Sequence, residues 1–132
     1  MPDLTASDVP EVAWGDGAYR ICAAFLRCGG DVSVTVRGGT GHHVGAVSLA
    51  LYEPDRGSAT VSTITAPGHR DDAVSARFAK ELSRSLRCTV SVTVGVHIDH
   101  ASQSELETLR QNCEECLRLL LERLTEGEGD MR

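Results

Sequence analysis

A glycine-rich loop is the part of the sequence best suited to bind an anion. It reads Arg37-Gly38-Gly39-Thr40-Gly41-His42-His43-Val44-Gly45 and directly follows a strand-like alternating run. Glycines let backbone N–H groups converge on one anion, while Arg37 and Thr40 add a charge and a hydroxyl. The loop lacks the Gly-Lys-Ser/Thr ending of a Walker A motif, and a strand rather than a helix follows it, which excludes a dinucleotide fingerprint. It predicts either an anion site or a hairpin loop without a ligand.

A second cluster of polar residues stands where a strand-like run gives way to a helical one. It reads Pro67-Gly68-His69-Arg70-Asp71-Asp72. The start of a helix attracts anions, because its backbone N–H groups and dipole present positive charge there. His69 and Arg70 are therefore predicted to hold a phosphate or carboxylate, while Asp71 or Asp72 caps the helix. The plainer alternative is a capped helix with two exposed basic side chains.

The third cluster is the pair His97 and Asp99, at the end of the most regular strand pattern in the chain. The valines from Val90 to Val96 share one face of this strand, and His97 lies on the opposite face with Thr93 and Gly95. One buried and one open face follow from such alternation, so His97 either reaches a ligand or is solvated. Each of the three clusters lies at the end of a predicted strand. They form one site only if the fold brings those strand ends together.

The histidines and cysteines allow a metal site but do not require one. Three histidines from different clusters could be brought to one metal ion: His43, His69 and His97. Cys113 and Cys116 have metal-ligand spacing, but they lie on the apolar stripe of a helix, which favours core packing. No Gly-x-Ser-x-Gly elbow occurs, and nothing in the spacing demands acid–base chemistry by His with Asp.

The elements that must position these clusters follow from hydrophobic periodicity. Alternation predicts strands, helical spacing predicts two helices, and Ser102 with Glu105 forms a capping box before the second helix. The strands cover residues 21–26, 32–37, 46–53, 59–65 and 88–98. The apolar stripe of the first helix runs from Val74 to Leu86, and that of the second runs from Leu106 to Leu124. The order β-β-β-β-α-β-α predicts the α+β class: a mainly antiparallel sheet, its first four strands a meander, with both helices on one face.

Length and charge exclude several classes of protein. The 132 residues suit one domain, predicted over residues 19–124, with a flexible tail at 1–18, where Trp14 docks, and another at 125–132. A net charge of −6 disfavours nucleic acid and basic membrane surfaces as partners. We expect no membrane span and no secretory signal. The odd number of cysteines, five, predicts reduced thiols and a cytoplasmic protein.

The three clusters, in this order, resemble those of the small LpdD-like prenylated-flavin chaperones. These are the D subunits that accompany UbiD-type (de)carboxylases acting on gallate, vanillate or 4-hydroxybenzoate. The resemblance spans about Tyr19 to Leu124, and the matching runs are Gly38-Gly39-Thr40, His43-Val44-Gly45, Pro67 to Asp72 and Gly95-Val96-His97-Ile98-Asp99. His42 stands where the family loop usually has proline, which predicts a less pre-organised loop.

The resemblance implies a function as well as a fold. It implies a fold like that of the proteasome-assembly chaperones, a homodimer, and a non-catalytic carrier of prenylated FMN (or FMN) that supports a UbiD-type decarboxylase. Carried over position by position, the cofactor-binding candidates are Arg37, Gly38, Gly39, Thr40, His43, Gly45, His69, Arg70, His97 and Asp99. The flavin ring needs an apolar slot, which we expect this aromatic-poor chain to build between two subunits.

Two other classes of function stay open on the residues alone. One is a protein-only assembly or structural subunit of a decarboxylase complex, without a small ligand. The other is a small enzyme that uses a metal or a His/Asp pair. Substitutions at the predicted ligand residues separate the carrier from the assembly subunit, and metal analysis tests the metal-assisted enzyme.

Overall fold

Six strands and two α-helices occur in the part of the chain that the structure describes, and all but the first strand form from the periodic segments. The α-helices follow the fifth and the sixth strand. The computed structural model describes residues 9–41, 43–67 and 71–130. The elements are β1 (Glu11–Trp14), β2 (Ile21–Cys28), β3 (Asp31–Gly39), β4 (Ala46–Glu53), β5 (Ser58–Thr65), α1 (Asp72–Leu86), β6 (Val90–His97) and α2 (Gln103–Asp130). The α+β class is confirmed.

The sheet order is β1-β2-β3-β6-β4-β5, which corrects the predicted four-strand meander. β6 lies between β3 and β4, parallel to β3 and antiparallel to β4. The hairpins β2–β3 and β4–β5 form as expected, so the sheet is mainly antiparallel. A central position suits β6 because its valines Val90, Val92 and Val94 are fully buried, and a central strand pairs its backbone on both sides.

The N-terminal segment differs from the predicted flexible tail. β1 pairs antiparallel with β2, and Val12 lies beside Ala23 in the register. Trp14, the last residue of β1, contacts the second helix: the guanidinium of Arg118 on α2 lies 6.0 Å from the centre of the Trp14 ring. A four-residue strand is too short for alternation to be recognised against its polar surroundings. The second helix also continues beyond residue 124, where a tail was expected.

Both helices cover one face of the sheet, as predicted. The core contains Phe78, Leu82 and Leu86 of α1, and α2 contributes Leu109, Cys113, Cys116, Leu117, Leu120 and Leu124. Burial raises the pKa of the Cys113 thiol and of the Cys116 thiol to about 12 each, so both remain protonated at neutral pH. This confirms their assignment to core packing. All five cysteines are free of disulfides.

The start of α2 is held by the predicted capping box. The Glu105 N–H donates to the Ser102 hydroxyl at 3.2 Å, and the Ser102 N–H donates to the Glu105 carboxylate at 3.0 Å. The Tyr19 hydroxyl donates to the other oxygen of the same carboxylate. These bonds lower the pKa of Glu105, the backbone bond from Ser102 contributing most. The capping box therefore anchors α2 to the segment that precedes β2.

The other face of the sheet is open and carries a row of apolar side chains. Val47, Leu49 and Leu51 of β4 are 38–49% exposed, and Ile64 on the neighbouring β5 is 79% exposed. We call this row the open-face ridge. It matches the partly bare face expected from the sequence. None of the helices within the described residues is long and apolar enough to cross a membrane.

Candidate functional site

An apolar cavity of about 560 Å³ lies between α1 and α2 at the carboxyl end of β6. Phe78, Leu109 and Cys113, which are at most 7% exposed, contribute buried side chains to its lining. Polar residues also reach it, among them His97 from the end of β6. Pockets for small organic ligands span about 300–1,000 Å³ and have mostly apolar walls with a few polar groups. This cavity has both properties, and its lining residues belong to one chain. The slot expected between two subunits stays a prediction.

The glycine-rich loop meets the cavity at His97. The imidazole rings of His43 and His97 are 5.5 Å apart between centroids and inclined by 46°. A Cβ at Gly41 would lie 3.7 Å from the His97 ring, so the loop packs directly on this side chain. The fold therefore brings together two of the three clusters predicted from the sequence.

Close backbone approaches hold the loop over the end of β6. A Cβ at Gly95 would lie only 1.9 Å from the carbonyl oxygen of His43. Gly39 has a positive φ of 87°, and a Cβ there would lie 1.9 Å from the carbonyl oxygen of His97. Real Cβ atoms do not approach an oxygen so closely, so glycine is required at both positions. These contacts give the two glycines a steric role.

Asp71 connects the strand-to-helix junction to the same loop. It occupies the N-cap position of α1, yet its side chain makes no capping hydrogen bond, which corrects the prediction for this residue. Asp71 is 7% exposed as a residue, and its carboxylate fills the space beside Gly45, where a Cβ would lie 2.0 Å from Oδ2. The second cluster therefore adjoins the glycine-rich loop at Asp71. His69 and Arg70 lie outside the described residues.

The loop uses two of its backbone N–H groups to bind the strand rather than leaving them to a ligand. The Thr40 N–H donates to the carbonyl of His97, and the Gly45 N–H donates to the carbonyl of Val94, each at 2.8 Å. Gly38 is buried against Ile21, and Arg37 pairs with Glu11 across the open face at 3.1 Å. These two N–H groups are therefore used within the fold, and the anion site of the loop stays a prediction that depends on its other groups, such as the Thr40 hydroxyl.

His97 and Asp99 form a hydrogen-bonded pair at the edge of the cavity. The distance from His97 Nε2 to Asp99 Oδ1 is 2.7 Å, and their side chains are 39% and 80% exposed. The hydrogen bond from His97, followed by the charge of the ring, lowers the pKa of Asp99. The carboxylate is thus ionised at neutral pH and orients the imidazole. The pairing weakens in acid, when the pH falls through this lowered pKa and Asp99 takes up a proton.

Two arginines that no sequence motif singled out line the cavity. Arg77 of α1 binds Glu114 of α2 through Nε at 3.0 Å and Nη2 at 3.3 Å, which bridges the helices. Arg110, one α2 turn before Glu114, pairs with Glu107. Exposed arginines at helical spacing from glutamates normally indicate surface ion pairs, so only the tertiary structure shows that these two border a cavity.

A metal centre is not formed by the side chains that the structure describes. Within residues 9–41, 43–67 and 71–130, no group of three or more His, Cys, Asp or Glu side chains is arranged to hold a metal ion. His43 and His97 are neighbours, but His69, the third histidine of the metal hypothesis, lies outside these ranges.

Comparison with known proteins agrees with this architecture. A chain from the crystal structure of a novel chaperone complex for yeast 20S proteasome assembly superposes with a TM-score of 0.54. The two chains are 14% identical, and the match covers 85% of this chain and 94% of the other. The likeness confirms the expected proteasome-assembly-chaperone-like fold.

Sequence relatives identify the family. Protein LpdD of Lactiplantibacillus plantarum is 27% identical over 93 residues, which cover 67% of this chain and 65% of that relative, slightly under two thirds of its length. The prenylated flavin chaperone LpdD-like domain matches residues 15–125, most of the described fold. Chaperones of this kind are accessory proteins rather than enzymes. The chain therefore belongs to the prenylated flavin chaperone LpdD-like domain family.

Proposed function

We propose that the protein binds prenylated FMN, shields it from solvent and delivers it to a UbiD-type aromatic acid decarboxylase. The observation that carries this proposal is the meeting of an apolar cavity with His97 and the glycine-rich loop at the end of β6. Family membership supports the chaperone role, and the curated relative is itself named Protein LpdD. The five free cysteines support a reducing compartment, and we place the protein in the cytoplasm.

The residues present fit the chemistry of a prenylated flavin. Its fused rings and prenyl group need apolar walls, which Phe78, Leu109 and Val96 offer, and its polar edge needs hydrogen-bonding groups such as His97. In this proposal His43, Asp99 and the loop from Arg37 to Gly45 orient His97, and His69 and Arg70 complete the site. The bound cofactor supplies the electron-accepting ring system that the decarboxylase uses. This chain's own part is to bind the cofactor, orient it and exclude water.

The geometry also suits delivery rather than permanent retention. Leu106 and His97 at the cavity border are 49% and 39% exposed, so a ligand there keeps contact with solvent. Transfer requires that the carrier bind less tightly than the enzyme, and each 1.4 kcal/mol changes a dissociation constant about tenfold. A partly open site of this kind meets that requirement.

A matched pair of histidine variants tests the ligand site. His97→Asn should weaken flavin binding about tenfold or more, because it removes the imidazole that meets both the loop and the cavity. The measurement is an anaerobic fluorescence titration with FMN and with prenylated FMN produced by a flavin prenyltransferase.

The control is His100→Asn, three residues further along. His100 has a positive φ of 52°, a conformation that asparagine tolerates, and it does not line the cavity. It should bind flavin like the wild type. A wild-type protein that binds neither flavin, or a His97→Asn protein that binds both normally, would contradict the proposed site.

The proposal includes a homodimer and a direct contact with the decarboxylase. The open-face ridge favours protein contacts, because an exposed apolar row on a sheet face gains free energy when another surface covers it. The same ridge is the observation that favours the second candidate function, an assembly subunit that needs no small ligand. The two candidates differ in which residues matter for activation of the enzyme.

Co-expression with the decarboxylase separates the carrier from the assembly subunit. Leu51→Lys places a charge on the open-face ridge. If this face docks a protein, the variant should reduce activation of the decarboxylase at least about tenfold. Ser85→Lys, an exposed position on α1, is the control for added charge. In the carrier proposal His97→Asn also loses activation. Full activation by His97→Asn together with loss in Leu51→Lys would instead establish the assembly subunit.

A further inference from the structure

We infer that Arg77 and Arg110 bind the anionic end of a ligand whose apolar body occupies the cavity between α1 and α2. The ligand class is an aromatic organic anion, such as a phosphate monoester on a ring system. This inference rests on the proposed function in taking the flavin phosphate as the natural anion. It adds two binding residues that lie outside all three clusters seen in the sequence.

The shape and polarity of the cavity determine the apolar part of the ligand. Val74 and Phe78 of α1 line one side, Leu106 and Leu109 of α2 the other, and Val96 comes from β6. A cavity of about 560 Å³ is large enough for a fused aromatic system, and its walls offer that system few polar partners. A small polar metabolite would leave most of this apolar surface unfilled.

The charged groups at the cavity determine the other end of the ligand. Arg77 and Arg110 each present a planar fork of N–H donors, which matches the oxygens of a phosphate or carboxylate. Asp71 is committed to the space beside Gly45, and Glu114 is held by Arg77. An anion can therefore take the place of a carboxylate already bound to arginine, whereas a cation would have to displace arginine itself.

The existing ion pairs are weak enough to be exchanged. The Arg77 and Glu114 side chains are 52% and 41% exposed, and those of Arg110 and Glu107 are 62% and 52% exposed. Exposed pairs of this kind add little to stability, since solvent screens them. Glu114 can rotate into solvent when a ligand phosphate replaces it on Arg77. The bridge between the helices would then run through the ligand.

Variants at the arginines and at their competing carboxylate test the anion site. FMN and riboflavin differ only by the phosphate, so wild-type protein should bind FMN more tightly. Arg77→Gln or Arg110→Gln should reduce that preference about tenfold while riboflavin binding changes little. Glu114→Gln should strengthen FMN binding, because it removes the closer of the two carboxylates that compete for Arg77, the other being Glu81 at 3.5 Å. Arg84→Gln, a half-exposed α1 arginine away from the cavity, is the matched control.

A cavity-filling variant tests the apolar part independently of the phosphate. Ala73 lines the cavity and is exposed, so Ala73→Phe fills space with little cost to folding. It should weaken FMN and riboflavin alike. Equal flavin binding by wild type, Ala73→Phe and Arg77→Gln would overturn the inference and leave the carrier function standing, with its site elsewhere.

Binding of a generic aromatic anion shows whether a negative flavin result contradicts the inference or only the proposed function. Anilinonaphthalene sulfonate should fluoresce on the wild-type protein and lose signal in Ala73→Phe and Arg77→Gln. If the protein binds this probe in that manner but no flavin, the cavity is an aromatic-anion site and the flavin carrier is wrong. Probe fluorescence that neither variant changes would contradict the inference.

Discussion

Gly95→Val should displace the glycine-rich loop and abolish the contact between His43 and His97. Valine suits a β-strand better than glycine does, so the local preference of β6 would favour this change. Its Cβ, however, would lie 1.9 Å from the His43 carbonyl oxygen, and two further methyl groups would follow. Forced overpacking of this kind lowers the free energy of unfolding by about 1–3 kcal/mol. We expect that loss in chemical denaturation, together with loss of flavin binding.

Thr93→Val is the matched control for this substitution. Thr93 lies on the same strand and the same face, two residues before Gly95, and pairs with Thr35 and Val47 rather than with the loop. It should fold and bind flavin like the wild type. If Gly95→Val were as stable as Thr93→Val and retained flavin binding, the close approach of the loop to β6 would not hold in solution.

Phe78→Ala should produce the largest loss of stability among single substitutions near the cavity. The side chain is 1% exposed and links the core under the sheet to the cavity between the helices. Removing a buried phenylalanine costs about 3–5 kcal/mol, which lowers the midpoint of thermal unfolding by about 10–18 °C in a domain of this length. Thermal unfolding followed by circular dichroism measures this shift.

A second phenylalanine separates general loss of core packing from an effect on the cavity. Phe25 of β2 is 8% exposed and lies beneath the Arg123 guanidinium, away from the cavity. Phe25→Ala should also lower stability but leave flavin affinity unchanged at a temperature where both variants are folded. Phe78→Ala should weaken flavin binding as well. If Phe78→Ala lowered the free energy of unfolding by less than about 1 kcal/mol, that result would contradict the packing of α1 described above.

Local signals in the sequence were sufficient to predict most of the helices and strands. The spacing of Phe78, Leu82 and Leu86 identified α1, and the Ser102–Glu105 capping box identified the start of α2 within one residue. Such signals depend on residues a few positions apart, and the structure satisfies them with the same residues. β1 was missed because four residues provide too little alternation to recognise.

The order of the strands required the tertiary structure. Alternation in β6 showed that one of its faces is buried. The pattern does not indicate which strands lie on either side of β6. Insertion between β3 and β4 depends on the parallel register that pairs Val32 with Val90 and the antiparallel register that pairs Ala50 with Val90. Those pairings join segments far apart in the chain, which periodicity cannot relate.

By itself the sequence determined the class of fold, the family resemblance and three short clusters that end strands or begin a helix. Only the folded chain decided that His43 meets His97, that Asp71 packs beside Gly45 instead of capping α1, and that Arg77 and Arg110 border an apolar cavity. The physical reason is that residue type and short-range spacing decide which local structure is stable. A cavity is the space left between helices and strands, and its walls come together only when distant segments pack.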